Sequence, residues 1–417
     1  MLRLNLRCSR LSTWWMTLCL TACASLGPQL PISTSDEIES GTSVLSIRTL
    51  GTNGEFGVVS SGEAAQKLRV MLAGRPLSVL ALSSGGSSGA FGAGALAGST
   101  PGGTRPEFTV VTGVSSGALL APFAFLGPTW DEEMARIFTT GETDGLLQSR
   151  GLGALFGSSV YRDEPLRRLI ERYADDAMVS AIATEASKGR LLLVATTEFD
   201  SGEPVIWDLG SIALHGDKSA KQLIQTLLLA SASVPGMLPP VTVRFRSRGK
   251  IVTETHVDGG VTLPFFLAPT TEDLVQLAAA APQSATVHVI IDGPLYNVPR
   301  RTHANAFSIF SRSLSAGLSY VTRTQLESTV RAVRQRRVSI EYAAIPSSYP
   351  LRGAFDFGAK AQRSLFEFAA TCAATDRLWI QAPAAGREHV SERAQTAGTP
   401  ACPADDTSIG QVAAVKN

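Results

Sequence analysis

Charge is scarce in this sequence. Only 18% of its 417 residues are Asp, Glu, Lys or Arg, and 37 basic against 36 acidic side chains leave a formal net charge of +1. A nucleic-acid binder needs a basic face, so no nucleic-acid partner is expected. One local basic run, Arg331, Arg334, Arg336 and Arg337, fits the solvated end of a helix. No residue pattern recurs at a fixed period, which argues against a solenoid or a propeller. No His/Asp/Glu cluster has ligand spacing, so no metal is expected, and no other cofactor is implied. The apolar stretch over residues 11–22 is too short to cross a bilayer, which takes about 20 residues. What is present is a core-forming composition with 44% hydrophobic residues. The 38 glycines and 22 prolines imply many tight turns between short elements.

The N-terminus reads as an address. Arg3, Arg7 and Arg10 precede the apolar stretch, as a charged n-region precedes an h-region. The stretch ends in Leu20-Thr21-Ala22-Cys23, which resembles the bacterial lipobox. That resemblance implies removal of residues 1–22 and a diacylglycerol on the thiol of Cys23, anchoring the chain to a membrane without a transmembrane helix. The alternative is an ordinary secretory signal with an incidental cysteine. Ala24, where an aspartate would retain the protein, implies by analogy the outer membrane of a Gram-negative bacterium. Loss of the three leader arginines takes the net charge to −2. Export also fits the cysteines: Cys8 and Cys19 leave with the leader and Cys23 is consumed. Cys372 and Cys402 remain as an even pair in an oxidising compartment, so a disulfide between them is expected.

Four segments follow: the leader 1–22, a lipidated N-terminus and tether over 23–75, a catalytic domain over 76–350, and a helical extension and tail over 351–417. Apolar runs of strand length lie at 77–82, 108–112, 191–197, 205–207, 251–257 and 286–291. Helices are expected at 90–97, 118–125, 165–173, 221–232, 304–337 and 359–374. In the long helix Phe307, Phe310, Leu314, Leu318 and Val321 recur at helical spacing, which reads as core. Strands alternating with helices imply a mainly parallel sheet covered on both faces, with sites in the loops at the carboxyl ends of its strands.

Three motifs at such ends carry chemistry. Ser83-Ser84-Gly85-Gly86-Ser87-Ser88-Gly89 joins a strand to a helix, and its glycines let backbone N–H groups face a phosphate or a developing oxyanion. It lacks the Gly-Lys-Ser/Thr ending of a P-loop, which argues against nucleotide hydrolysis. Gly92, Gly94 and Gly98 miss the dinucleotide fingerprint spacing by one residue and lie inside the helix. Gly113-Val114-Ser115-Ser116-Gly117 matches G-x-S-x-G, in which a strained strand-to-helix turn exposes a serine Oγ. His256-Val257-Asp258-Gly259-Gly260 ends a strand with a carboxylate that serves as base if it lies about 3 Å from the serine oxygen. Taken alone, each of the three is also an ordinary turn.

In this order and setting the motifs resemble those of the patatin-like phospholipases. The resemblance covers about residues 76–350. It also extends to Ala195-Thr196-Thr197 with Gly202-Glu203-Pro204-Val205, and to residues 230–235 with Pro239-Pro240. It implies a three-layer α/β/α fold with a mainly parallel central sheet and carboxylic ester hydrolysis of lipids or other esters. Ser115 would be the nucleophile and Asp258 the base, with Gly85, Gly86, Ser87, Ser88 and Gly89 forming the oxyanion loop. Two departures stand out: Ser88 occupies the loop's basic position and Ser83 that of the preceding acid. They leave phospholipid preference in doubt and support a rival, an inactive lipid- or partner-binding lipoprotein of the same fold. A triad would need a histidine. His288 reads as core, and His215, His303 and His389 as loop residues. His256, on the same strand face as Asp258, would either tune it or be structural. A structural role, and a Ser115–Asp258 dyad, are preferred.

Overall fold

In a computed structural model of the chain, the structure describes residues 46–72, 76–103, 105–151, 157–280, 285–296, 301–333, 338–382 and 401–405. The leader, Cys23 and the front of the tether lie outside the described residues. The chain enters through the hairpin β1 (Ser46–Leu50) and β2 (Phe56–Ser60), then helix α1 (Ser61–Leu72). Next come β3 (Ser78–Leu82), α2 (Gly89–Ser99), β4 (Val110–Val114), α3 (Ser116–Leu126), α4 (Asp131–Thr139), α5 (Glu164–Tyr173) and α6 (Asp176–Ser187). They are followed by β5 (Leu191–Glu198), β6 (Pro204–Asp208), α7 (Leu209–His215), α8 (Lys218–Ser231) and the hairpin β7 (Val241–Ser247) with β8 (Lys250–Asp258). The last elements are α9 (Thr271–Ala280), β9 (Ala285–Ile291), α10 (Ala306–Val333), β10 (Val338–Ala344), α11 (Ala359–Ala374) and β11 (Ile380–Gln381).

One sheet runs in the order β11-β10-β9-β3-β4-β5-β6-β1-β2, with β8 joined to β5 and β7. Its middle, β10-β9-β3-β4-β5, is parallel throughout. Antiparallel pairs extend it at both sides. Buried parallel strands need apolar residues on both faces, and β3 provides them. Leu80 and Leu82 join the larger core, with α2, α3, α8 and α11, while Val79 and Ala81 face the smaller one, with α1 and the second half of α10. The result is three layers, α/β/α.

Two boundaries differ from the sequence expectation. Among the described residues regular structure is present from Ser46, ahead of Pro76, because β1 pairs with β6 through Ile47 and Arg48. The Ser/Gly-rich composition there hides a strand pair whose outer member leaves Val58 exposed. At the other end, α11 is no appendage: it lies directly on α2, where a Cβ on Gly98 would sit 2.3 Å from the Ala370 carbonyl oxygen. Close helix approach thus accounts for the small-residue run once compared with a dinucleotide fingerprint. Cys372 on α11 is bonded to Cys402, with Cα atoms 5.6 Å apart. The N-terminal half of α10 departs further. Phe310 and Val321 are 46% and 47% exposed and Leu314 and Leu318 are half-buried, so this stripe is not core. The side chain of Phe307 lies outside the described residues.

Candidate active site

Strand register brings two distant motifs together. On one edge of β5, Val114 pairs with Ala195 at the end of β4. The next residue, Thr196, pairs with Asp258 at the end of β8, which runs in the opposite direction. Because β6 occupies the other edge of β5, β4 and β8 approach end to end along the same edge. Ser115 and Asp258 are where they meet, and Ser115 Oγ donates to Asp258 Oδ2 across 2.5 Å.

Ser115 has φ 55° and ψ −121°, a conformation that an L-residue holds only under constraint from its surroundings, at a cost of about 1–3 kcal/mol. The constraint is visible. Its N–H donates to Ser231 Oγ at 3.0 Å, and Ser231 Oγ in turn donates to the Ala195 carbonyl at 2.7 Å. A Cβ on Gly117 would stand 2.4 Å from the Leu82 carbonyl oxygen, so only glycine lets α3 start this close to β3.

Asp258 is nearly sealed from solvent, and burial pushes its carboxyl from 3.8 up to about 7, against the opposing pull of hydrogen bonds from Ser115 and from the Gly260 N–H. The Gly260 bond to Oδ1 is 2.7 Å and leaves Oδ2 to the serine. Thr197 Oγ1 fixes the Asp258 carbonyl at 3.0 Å.

The glycine loop lies alongside. Of the five residues expected to form it, three have committed N–H groups: Ser87 donates to the Ala354 carbonyl, Ser88 to Gly85, and Gly89 to Gly86. These bonds close a turn of 3-10 helix and correct the expected donor set. Among the described residues, Gly85, Gly86 and, at the start of α3, Ser116 keep N–H groups without an acceptor. The Ser88 side chain is buried.

His256 does not reach the serine. Its Nε2 lies 3.0 Å from Glu254 Oε2 and its Nδ1 3.0 Å from Thr196 Oγ1. Thr196 Oγ1 accepts from Trp207 Nε1 and can therefore give its own proton to Nδ1, leaving the ring proton on Nε2 facing Glu254. Burial lowers the pKa of His256, against the opposing pull of Glu254. Glu254 also takes both Nη atoms of Arg48, whose guanidinium stacks over Trp207 and Phe245. His288 is buried between Phe108 and Trp379. Of the other histidines, His215 ends α7, His303 is exposed and His389 lies outside the described residues.

Two residues of this site escape sequence reading. Ser231 lies in the 230–235 stretch that carries the family resemblance, but nothing in the sequence assigns it a role. Asp292, an acid followed by glycine at the end of a buried strand, repeats the Asp258 pattern. Its Oδ1 accepts from the Gly92 N–H at 2.9 Å, its N–H donates to Ser83 Oγ, and burial raises its carboxyl well above 3.8.

Ser115 opens onto two cavities. One, of about 120 Å³, runs between helices and is walled by apolar side chains such as Leu119, Phe123, Leu166, Ile170 and Leu228. The other, of about 560 Å³, is wider and more polar, reaching from Asp258 and Gly85 to α10 and the 346–355 segment. Among the described residues no group of three or more His, Cys, Asp or Glu is placed to hold a metal ion, and no helix is long and apolar enough to cross a membrane.

No curated protein matches the chain. Among solved structures, VipD from Legionella pneumophila is similar over 80% of this chain and 72% of its own, with 9% identity and a TM-score of 0.28. Residues 80–269, which include Ser115 and Asp258, match the family model described as patatin-like phospholipase, so this segment of the chain resembles that family.

Proposed function

We propose that this protein is a serine acyl hydrolase that cleaves carboxylic ester bonds of lipids with a Ser115–Asp258 dyad. The observation that carries the reading is the 2.5 Å hydrogen bond between Ser115 Oγ and a buried Asp258, at a point where an apolar and a mixed cavity meet. A carboxylate with a pKa of about 7 is a far better proton acceptor near neutrality than an ordinary aspartate. As Ser115 Oγ attacks the ester carbonyl, Asp258 takes the hydroxyl proton. The N–H groups of Gly85, Gly86 and Ser116 stabilise the oxyanion; removing one such donor costs on the order of 3 kcal/mol in the barrier. Collapse breaks the ester C–O bond, and the leaving alcohol takes the proton held by Asp258. Water then attacks the acyl–Ser115 ester, giving a proton to Asp258; collapse breaks the acyl C–Oγ bond, releases the acid and returns that proton to Ser115 Oγ. The narrow apolar cavity suits the acyl chain and the wider one the alcohol portion.

A fluorophosphonate probe should label the wild type covalently, and Ser115→Ala should remove the label. Labelling that persists in Ser115→Ala refutes the assignment. We further propose that the protein is exported and membrane-anchored through diacylated Cys23. Incorporation of a fatty-acid analogue into the wild type, and its loss in Cys23→Ser, tests this.

A further inference from the structure

The first half of α10 is built unlike the other helices. From Ser308 to Val321 no described side chain is fully buried, whereas Thr322, Leu326, Thr329, Val330 and Val333 in the second half are. Its exposed residues nevertheless include Ile309, Phe310, Tyr320 and Val321, at 53%, 46%, 62% and 47% exposure. At 100° per residue the pairs 309/310 and 320/321 differ in azimuth by only about 20°, and they are about 16 Å apart along the axis. Ser313 and Gly317 lie between them on the same face, so this face is apolar at both ends, small in the middle and uncharged. Its flank carries Arg312 and Arg323 to one side, with Glu327 3.8 Å from Arg323 Nε. Between Asp292 and Glu327 the chain has four arginines, Arg300, Arg301, Arg312 and Arg323, and no acidic residue.

We propose that this face of α10 docks on an anionic lipid surface. Exposed apolar side chains with a predominantly basic rim fit the headgroup–acyl boundary of such a surface. They do not fit a second copy of the chain, since a two-fold interface would set the same arginines against each other. The inner side of the same helix contributes Leu314 and Leu318 to the wider cavity over Ser115, which Phe310 also borders from the edge of the exposed face, and Val261, 54% exposed, stands on that cavity's other wall. Docking therefore turns the cavity mouth toward the bilayer, and substrate enters from the lipid phase. This deepens the acyl-hydrolase reading and rests on it for substrate delivery, not for docking itself.

The test uses the full chain with Cys8, Cys19 and Cys23 changed to serine, and an NBD fluorophore on Ser313→Cys. A control carries the fluorophore on Thr184→Cys, an exposed site on α6 across the sheet. Vesicles of phosphatidylcholine and phosphatidylglycerol (7:3) should raise NBD emission at position 313 at least three-fold with a blue shift. Pure phosphatidylcholine should give less than half that response, and position 184 no change. Ile309→Ser/Tyr320→Ser/Val321→Ser should lower the response at least five-fold. So should Gly317→Glu, which cannot be excused by misfolding: the position is exposed, a Cβ there meets nothing within 4 Å and glutamate is the better helix former. All variants should hydrolyse a water-soluble short-chain ester within two-fold of the parent. No response at position 313, an equal one at 184, an undiminished one in both variants, or one that appears without vesicles on concentrating the protein overturns the docking proposal. A parent that docks but does not hydrolyse the soluble ester overturns the acyl-hydrolase reading alone.

Discussion

Asp258→Asn should destroy hydrolysis and stabilise the fold, increasingly so as pH rises. The carboxyl titrates at 3.8 when unfolded and at about 7 when folded. Between those values the folded protein holds a proton that the unfolded chain has released, so rising pH costs stability throughout the window. At 1.36 kcal/mol per pH unit, the full cost above pH 7 is on the order of 4 kcal/mol, of which about 3 kcal/mol accrues between pH 5 and pH 8. Asparagine matches the protonated acid in shape, stays neutral and still accepts from the Gly260 N–H through its carbonyl oxygen. Other buried acids with raised values, Asp208 and Asp292, are present in both proteins and cancel in the difference. The assay is thermal unfolding of wild type and Asp258→Asn at half-unit steps from pH 5 to pH 8. The Tm of the variant minus that of the wild type should widen by roughly 5 °C, taking about 2 °C per kcal/mol for a chain of this size. Meanwhile wild-type kcat/KM should rise with pH and level off above about 7. A Tm difference that stays constant within about 1 °C would refute the claim that this carboxyl is held protonated by burial.

Ser231→Ala strips the Ser115 N–H and the Ala195 carbonyl of their shared partner. Leaving them unpaired should cost about 2 kcal/mol in urea unfolding and lower kcat more than it raises KM. Glu254→Gln should destabilise by about 3 kcal/mol at pH 7. Arg48 and His256 hold Glu254 at about 2 despite burial, so its contribution is present above 4.5 and lost as pH falls toward 2; a loss independent of acid pH would contradict this. Cys372→Ala/Cys402→Ala opens a 30-residue loop and should cost about 3–4 kcal/mol, with soluble-ester kcat unchanged because neither cysteine lines the two cavities at Ser115.

The sequence alone determined what is local. The apolar runs of β3, β4, β5 and β9 are legible because parallel strands are buried on both faces, and G-x-S-x-G is legible because its glycines answer short-range steric demands. It also made Ser115 a candidate by its strand–turn–helix setting. Asp258 stood out only beside a family resemblance, for an Asp-Gly-Gly is an ordinary turn until something faces it. The edge strand β2 escaped because its outer side chains are solvated, and β7 because its alternation is spread over arginines and threonines. The long-range decisions belong to the tertiary structure. That β4 and β8 meet end to end on one edge of β5, 143 residues apart at Ser115 and Asp258, depends on strand register, which no local pattern encodes. Which loop N–H groups stay open depends on Ala354, far along the chain. And α10 has the periodicity of a core helix; among the described residues nothing covers Phe310 and Val321, and that alone makes them a surface.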